Sequence, residues 1–314
     1  MHAVVVRDQQ LHWEEQADPV PGDTELLVSV QAAGINGADL IQRMGFYPAP
    51  PGSPPDIPGL ELAGEVVAVG AQVQRFHAGD RVMALVGGGG QATMAVIDES
   101  HALAVPDSLS WPEAGGFPEV FSTAFDALFT QAGLAMGERA LVTGAAGGVG
   151  TAGVQLATAT GARVVATVRQ AARHAEVAAL GADMVIDPTE VDRYGPYDVV
   201  LELVGSASLP GILPHLSTGA RVVVIGVGSG ASVEINLLEL MGARARIGGS
   251  TLRARSRREK ADVAAAMTAH VLPLLANGTV RVPVCDTFAM SDATGAYERF
   301  AAGGKLGKVV LVAS

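Results

Sequence analysis

The sequence predicts an α/β protein in two parts, a β-rich barrel-like domain and a doubly wound parallel sheet. Three observations carry this. Short apolar runs broken by Gly, Pro and Asp fill the chain from Met1 to about Pro118. Beyond Pro118, apolar runs recur about thirty residues apart with Ala-rich helical stretches between them. One of the latter runs feeds a glycine-rich turn that opens a helix.

In the first part the runs at residues 3–6, 25–30, 64–69, 81–85 and 93–97 are expected strands, and Gly87 to Gly90 is expected to connect two of them tightly. In the second part the expected strands are 139–143, 163–167, 184–186, 198–201, 221–225 and 245–249. The last sixty or so residues read as a helix over 260–276 and two strands, around Thr287 and at 308–312, that return to the first domain. The expected boundaries are 1–118 with 256–314 for the first domain and 119–255 for the second.

Composition removes several classes of function. Of 314 residues, 49% are hydrophobic and 17% charged, so the chain carries enough apolar material for two ordinary cores. A formal net charge of -11 argues against a protein that coats nucleic acid. The single cysteine, Cys285, excludes an internal disulfide framework and fits a reducing compartment. Arg7 and Asp8 stand where a signal peptide would need its apolar core, and the uncharged stretch 140–162 holds too many glycines for a membrane helix. The expectation is a cytoplasmic protein with no membrane partner. Nucleophilic hydrolysis lacks a candidate, since Gly226-Val-Gly228-Ser229-Gly230 does not match G-x-S-x-G. No Tyr-x-x-x-Lys pair occurs either, and the seven histidines show no ligand spacing.

The sharpest signal is the strand Arg139-Ala-Leu-Val-Thr143, the turn Gly144-Ala-Ala-Gly147-Gly148-Val149-Gly150 and the helix that follows. Backbone N–H groups at a helix N-terminus face a pyrophosphate well, and missing side chains let it approach. The spacing is G-x-x-G-x-x-G rather than G-x-G-x-x-G. The end of the next strand, Val165-Ala-Thr167-Val-Arg169-Gln-Ala-Ala-Arg173, offers no acid for a ribose 2′-hydroxyl. Arg169 or Arg173 would instead hold a 2′-phosphate, each bond worth about 1.5 to 3 kcal/mol, so NADPH is expected over NADH. Gly205, Gly226, Val227 and Gly228 fall at the carboxyl ends of strands and are expected to line the dinucleotide's path.

The second informative stretch is Ala32-Ala-Gly34-Ile-Asn36-Gly-Ala-Asp39 running to Gly45-Phe-Tyr47, then Pro58-Gly59-Leu60-Glu61-Leu-Ala-Gly64. With Pro118-Glu-Val, Gly249-Ser-Thr-Leu-Arg253 and the ending Gly307-Lys308-Val-Val-Leu, it resembles the medium-chain dehydrogenase/reductase superfamily. Within it the chain is most similar to the zeta-crystallin-like quinone oxidoreductases, in the branch of the tumour-suppressor-inducible enzyme. The resemblance covers essentially the whole chain and implies a GroES-like domain joined to a Rossmann domain. Where zinc alcohol dehydrogenases of that superfamily carry a ligand cysteine this chain has Asn36, and their Gly-His-Glu is Gly59-Leu60-Glu61, so no metal is expected.

The resemblance further implies a nicotinamide near Asn36 and Thr123, with Val149, Val227 and Lys308 in the cofactor set and Tyr47 facing the substrate. Asn36 would hydrogen-bond the nicotinamide ribose or the acceptor carbonyl, and the Tyr47 hydroxyl would polarise or protonate a developing oxyanion. Turn-capping for Asn36 and loop-anchoring for Tyr47 are the alternatives. The implied reaction is NADPH-dependent reduction of a quinone by hydride transfer. An enone or enoyl reductase needs the same geometry, and a low-turnover NADPH-binding sensor or regulator is the alternative of a different class. The run of Arg244, Arg246, Arg253, Arg255, Arg257, Arg258 and Lys260 suggests nucleic acid at first sight, but the resemblance places it at a homodimer strand and a loop near the cofactor. A homodimer is therefore the expected assembly.

Overall fold

The computed structural model describes residues 1–313 and divides them into two compact units, Met1–Ser122 with the chain from Leu252 onward, and Thr123–Thr251.

The first unit is β-rich. Strands β1 (His2–Arg7) and β2 (Gln10–Glu15) form an antiparallel hairpin. The others are β3 (Glu25–Gly34), β4 (Glu61–Val69), β5 (Arg81–Leu85), β6 (Met94–Asp98) and β7 (Ala102–Ala104). Strand β3 is the axis of the unit because its side chains alternate: Leu26, Val28, Val30 and Ala32 are buried while the intervening positions are only partly so. It pairs antiparallel with β4 along most of its length and with β6 over its first five residues.

The second unit is a six-stranded, wholly parallel sheet. Its strands are β8 (Arg139–Val142), β9 (Arg163–Thr167), β10 (Met184–Ile186), β11 (Tyr197–Glu202), β12 (Leu216–Val224) and β13 (Arg246–Gly249), in the spatial order β10-β9-β8-β11-β12-β13. Strands β8 and β11 bury nearly every residue, as central parallel strands covered on both faces must. The order reverses between β8 and β11, and ligands of open α/β sheets bind at such a reversal, outside the carboxyl ends of the strands.

The chain returns to the first unit at Leu252. Strand β15 (Lys308–Val312) pairs with the last residues of β3, and β14 (Val284–Ala289) adds beside it. The expected helix over 260–276 is two, Arg257–His270 and Leu272–Ala276. Between the terminal strands lies a further helix, Ala293–Ala301, which sequence reasoning missed. Among the described residues no helix is long and apolar enough to cross a membrane.

Candidate active site

In the first unit Asn36 lies at the N-cap of the helix Gly37–Arg43. Its side-chain amide does not cap. Nδ2 donates to Glu61 Oε1 at 2.9 Å, and Oδ1 accepts from Lys308 Nζ at 2.6 Å. The ammonium of Lys308 also donates to the carbonyl of Ile35 at 2.8 Å and lies 2.7 Å from Glu61 Oε1. Glu61 Oε2 accepts from the backbone N–H of Glu119 at 2.8 Å. Lys308 is 2% and Glu61 0% exposed, so two opposite charges are desolvated together, with three hydrogen bonds to each. The glycine of Ala33-Gly34-Ile35 makes this possible, since a Cβ there would stand 2.2 Å from Glu61 Oε1.

Asp39 supports the same turn. Its carboxylate accepts from the backbone N–H of Asn36 at 2.8 Å and of Gly59 at 3.1 Å, tying the two motif segments together. Burial pushes its pKa up to about 6, against the opposing pull of those two N–H groups and of Lys308.

Tyr47 follows the helix on a loop that turns at Gly45 (φ +85°) and leaves Phe46 exposed. Its ring lies under the guanidinium of Arg253, 4.9 Å from the centroid, and its carbonyl accepts from Arg253 Nη1 at 2.8 Å. Burial pushes the Tyr47 hydroxyl up, Arg253 pulls it down and Glu119 pushes it up.

In the second unit the glycine turn joins β8 to the helix Gly148–Ala159, with Gly147 at the N-cap and Gly144 at φ +58°. The first turn of a helix leaves its N–H groups without partners in the helix, and here Gly147, Gly148 and Val149 are only partly covered. A Cβ on Gly150 would lie 2.6 Å from Ala145 Cα and from the Gly144 carbonyl oxygen. That packing folds the turn onto its own helix, the cradle a pyrophosphate needs. Thr143 Oγ1 accepts from the Leu203 N–H at 2.7 Å and fixes the end of β8 against the end of β11. Glu202 Oε1 in turn holds the Val204 and Gly205 N–H groups at 2.7 and 2.8 Å.

The structure thus gathers the predicted residues in separate groups. Asn36 and Lys308 touch, and Gly205 packs on Val227, a Cβ there lying 2.9 Å from Val227 Cα. Gly226 packs on Leu203, beside the Val204 that faces Gly144. Arg169 is exposed just past β9, while Arg173 is bridged to Glu176 through contacts of 2.8 and 2.9 Å. Thr123 is buried on the helix Pro118–Phe125 and belongs to the second unit, whereas Asn36 belongs to the first. The basic run is dispersed: Arg244 and Arg246 lie in the second unit, Arg253 is buried in the first, and Arg257 pairs with Asp98 at 2.6 Å.

Sequence reasoning does not reach Asp39 or Glu202 as members of these groups. Glu61 does carry a signal, because an acid inside the run Leu60-Glu61-Leu62-Ala63 demands a buried partner.

Residues 22–107 match the family described as alcohol dehydrogenase GroES-like domain, and residues 148–269 the family described as zinc-binding dehydrogenase. A quinone oxidoreductase of Lama guanicoe is 32% identical, the match covering 94% of this chain and 91% of that protein. Among solved structures, an alcohol dehydrogenase superfamily protein from Novosphingobium aromaticivorans superposes with a TM-score of 0.89 at 28% identity, covering 100% of both chains. A cobalt- and zinc-bound thermostable alcohol dehydrogenase from Pyrobaculum aerophilum does so with a TM-score of 0.86 at 28% identity, covering 99% of both. A barrel-like unit carrying a buried Asn–Glu–Lys cluster and a parallel sheet carrying a glycine cradle are thus found in a chain whose relatives align almost end to end. The chain belongs to the medium-chain dehydrogenase/reductase superfamily and is one of its oxidoreductases.

Proposed function

We propose that this oxidoreductase reduces quinones with NADPH and needs no zinc. The carrying observation is the placement of the Lys308 ammonium, 2.6 Å from Asn36 Oδ1 and 2.7 Å from Glu61 Oε1. Zinc requires several N, S or carboxylate donors around one ion. Leu60 offers none, Asn36 and Glu61 are already committed to a cation, and among the described residues no group of three His, Cys, Asp or Glu side chains is placed to hold a metal. The residues do not fit the ion that the zinc-binding family name implies. The acceptor must therefore spread incoming negative charge itself, as a quinone or an α,β-unsaturated carbonyl does.

The glycine cradle from Gly144 to Gly150 fits a dinucleotide pyrophosphate, since a Cβ at Gly150 would close it. When bound, NADPH supplies the hydride. Arg169 is the better candidate for the 2′-phosphate, because Glu176 already neutralises Arg173. Asn36, with both ends of its amide fixed, presents its remaining N–H and lone pair in one orientation. Lys308 has three N–H groups and three acceptors, so its contribution is to hold Asn36 rather than to contact the cofactor. Tyr47 donates a proton to the acceptor oxygen. The exposed Phe46 and Met44 beside it supply an apolar lip for a flat ring.

The assembly we infer is a homodimer. Strand β13 ends the six-stranded sheet, and the helix Leu237–Ala243 preceding it in the chain exposes Leu237, Leu238 and Met241 at 66, 76 and 69%. Sedimentation of wild type and Leu238→Glu tests it, and a monomeric wild type would remove it.

The deciding experiment follows NADPH absorbance with a panel of quinones and enones, on protein whose metal content is measured. Turnover of quinones by metal-free protein supports the reading. Turnover of enones alone transfers it to the enone reductases, and loss of activity on chelation ends it.

A further inference from the structure

We propose that Arg253 is a positioning residue that clamps the Gln42–Tyr47 loop and makes the Tyr47 hydroxyl a stronger proton donor. This deepens the role given to Tyr47 above and rests on it. Arg253 is 4% exposed. Its guanidinium makes three hydrogen bonds, to the Gly87 carbonyl at 2.8 Å, the Tyr47 carbonyl at 2.8 Å and Gln42 Oε1 at 2.6 Å. The acceptors come from two segments more than 160 residues away in sequence.

Two features show that this is more than packing. The loop's first residues are held by the helix, with the N–H groups of Met44, Gly45 and Phe46 donating to the carbonyls of Leu40, Gln42 and Ile41, and beyond them the Tyr47 carbonyl is anchored by Arg253. All three acceptors are neutral oxygens. A buried guanidinium without a hydrogen-bonded carboxylate is disfavoured by desolvation, and an apolar side chain of similar volume would pack without that cost. The charge lies over the Tyr47 ring, where it favours the phenolate and so strengthens the phenol as a hydrogen-bond donor and acid. The charged groups facing this pair are Glu119, which faces both residues and opposes Arg253 at Tyr47, Asp39, which faces Arg253, and the ammonium of Lys260, a like charge to Arg253. With these in place, the Arg253 guanidinium still pulls the Tyr47 hydroxyl down against the effect of burial.

The test uses the full chain with Arg253→Met, Arg253→Lys and Tyr47→Phe, alone and combined. Tyr47 ionisation is read as the tyrosinate absorbance present in wild type and missing from Tyr47→Phe, which needs no turnover. Arg253→Met should move that ionisation to higher pH. It should also lower kcat with quinones by about ten- to hundredfold, with NADPH affinity unchanged. The alkaline limb of the rate profile should move up with the ionisation. Arg253→Lys, which keeps the charge but loses the fork, should restore the ionisation and only part of kcat; it carries the test if Arg253→Met does not fold. In the Tyr47→Phe background, loss of Arg253 should cost little more. An unchanged Tyr47 ionisation, or the same fold-loss with and without the Tyr47 hydroxyl, would overturn the proposal. Full turnover by Tyr47→Phe would instead remove the acid role of Tyr47, while the absorbance titration still decides whether Arg253 acts on it.

Discussion

Replacing Lys308 by Met isolates the energetics of the buried cluster. Methionine keeps most of the stem, which packs on Gly116, and deletes the ammonium. Three acceptors then lose their donor: the Ile35 carbonyl, Asn36 Oδ1 and Glu61 Oε1. Glu61 is 0% exposed and would be left with only the N–H groups of Asn36 and Glu119 as partners. Removing one partner of a buried pair costs about 3 to 5 kcal/mol, mostly because the other charge is left uncompensated. Urea denaturation followed by tryptophan fluorescence reads this unit selectively, since both tryptophans, Trp13 and Trp111, lie in it. The companion variant is Lys308→Met with Glu61→Gln. With no charge left to strand, and with the Asn36 amide free to turn over against a glutamine, the pair should recover at least about 2 kcal/mol of the loss. A cost below about 1 kcal/mol for Lys308→Met, or no recovery in the double variant, would refute the claim that the cluster is a desolvated ion pair holding Asn36.

Further outcomes follow from the geometry. Gly150→Val should abolish NADPH binding measured by cofactor fluorescence and destabilise the second unit, because even a Cβ would lie 2.6 Å from Ala145 Cα. Arg169→Ala should lower the preference for NADPH over NADH by about tenfold or more in kcat/KM. Arg173→Ala should lower it less, because Glu176 already engages that guanidinium. Tyr47→Phe should lower kcat with quinones by about a hundredfold with little effect on NADPH affinity. Asp39 has a pKa raised to about 6 from 3.8, so the folded state binds more protons than the unfolded state between those values. Its contribution is therefore most favourable below about pH 4 and is lost as pH rises through 6, by about 3 kcal/mol in all. Asp39→Asn should flatten that part of the pH profile of unfolding relative to wild type.

Local pattern carries most of the fold and almost none of the side-chain chemistry. The six parallel strands were legible because each is a short run with apolar residues between helical stretches, and the central β8 and β11 are buried on both faces. The glycine turn was legible because its function is performed by backbone. Strand β2 was not, because Gln-Leu-His-Trp-Glu-Glu lies in a two-stranded ribbon that buries none of its residues fully. The helix Ala293–Ala301 was missed although it carries a helical signal, its buried Ala293, Ala296 and Tyr297 recurring at i, i+3 and i+4. The site groups that matter most join residues far apart in sequence: Lys308 reaches Asn36 across 272 positions, and Arg253 reaches Tyr47 across 206. No local window contains such a pair.

On the zinc-free reading proposed above, the same cluster replaces a metal: by the resemblance, Asn36 stands where zinc alcohol dehydrogenases carry a ligand cysteine and Gly59-Leu60-Glu61 where they carry Gly-His-Glu. A dication brings a large positive charge to the turn after β3, and this chain supplies one positive charge from β15 instead, through Lys308. The substitution preserves the electrostatic anchor for Glu61 but gives up the open coordination position that polarises a substrate oxygen. On that reading, a fixed amide and the phenol of Tyr47 are what meet the acceptor. Such a site suits acceptors that are already electron-poor and only need orientation and a proton. The chemistry open to it is therefore narrower than that of a zinc enzyme on the same scaffold, and an unactivated ketone should be reduced far more slowly than a quinone, a comparison that steady-state rates on metal-free protein read directly.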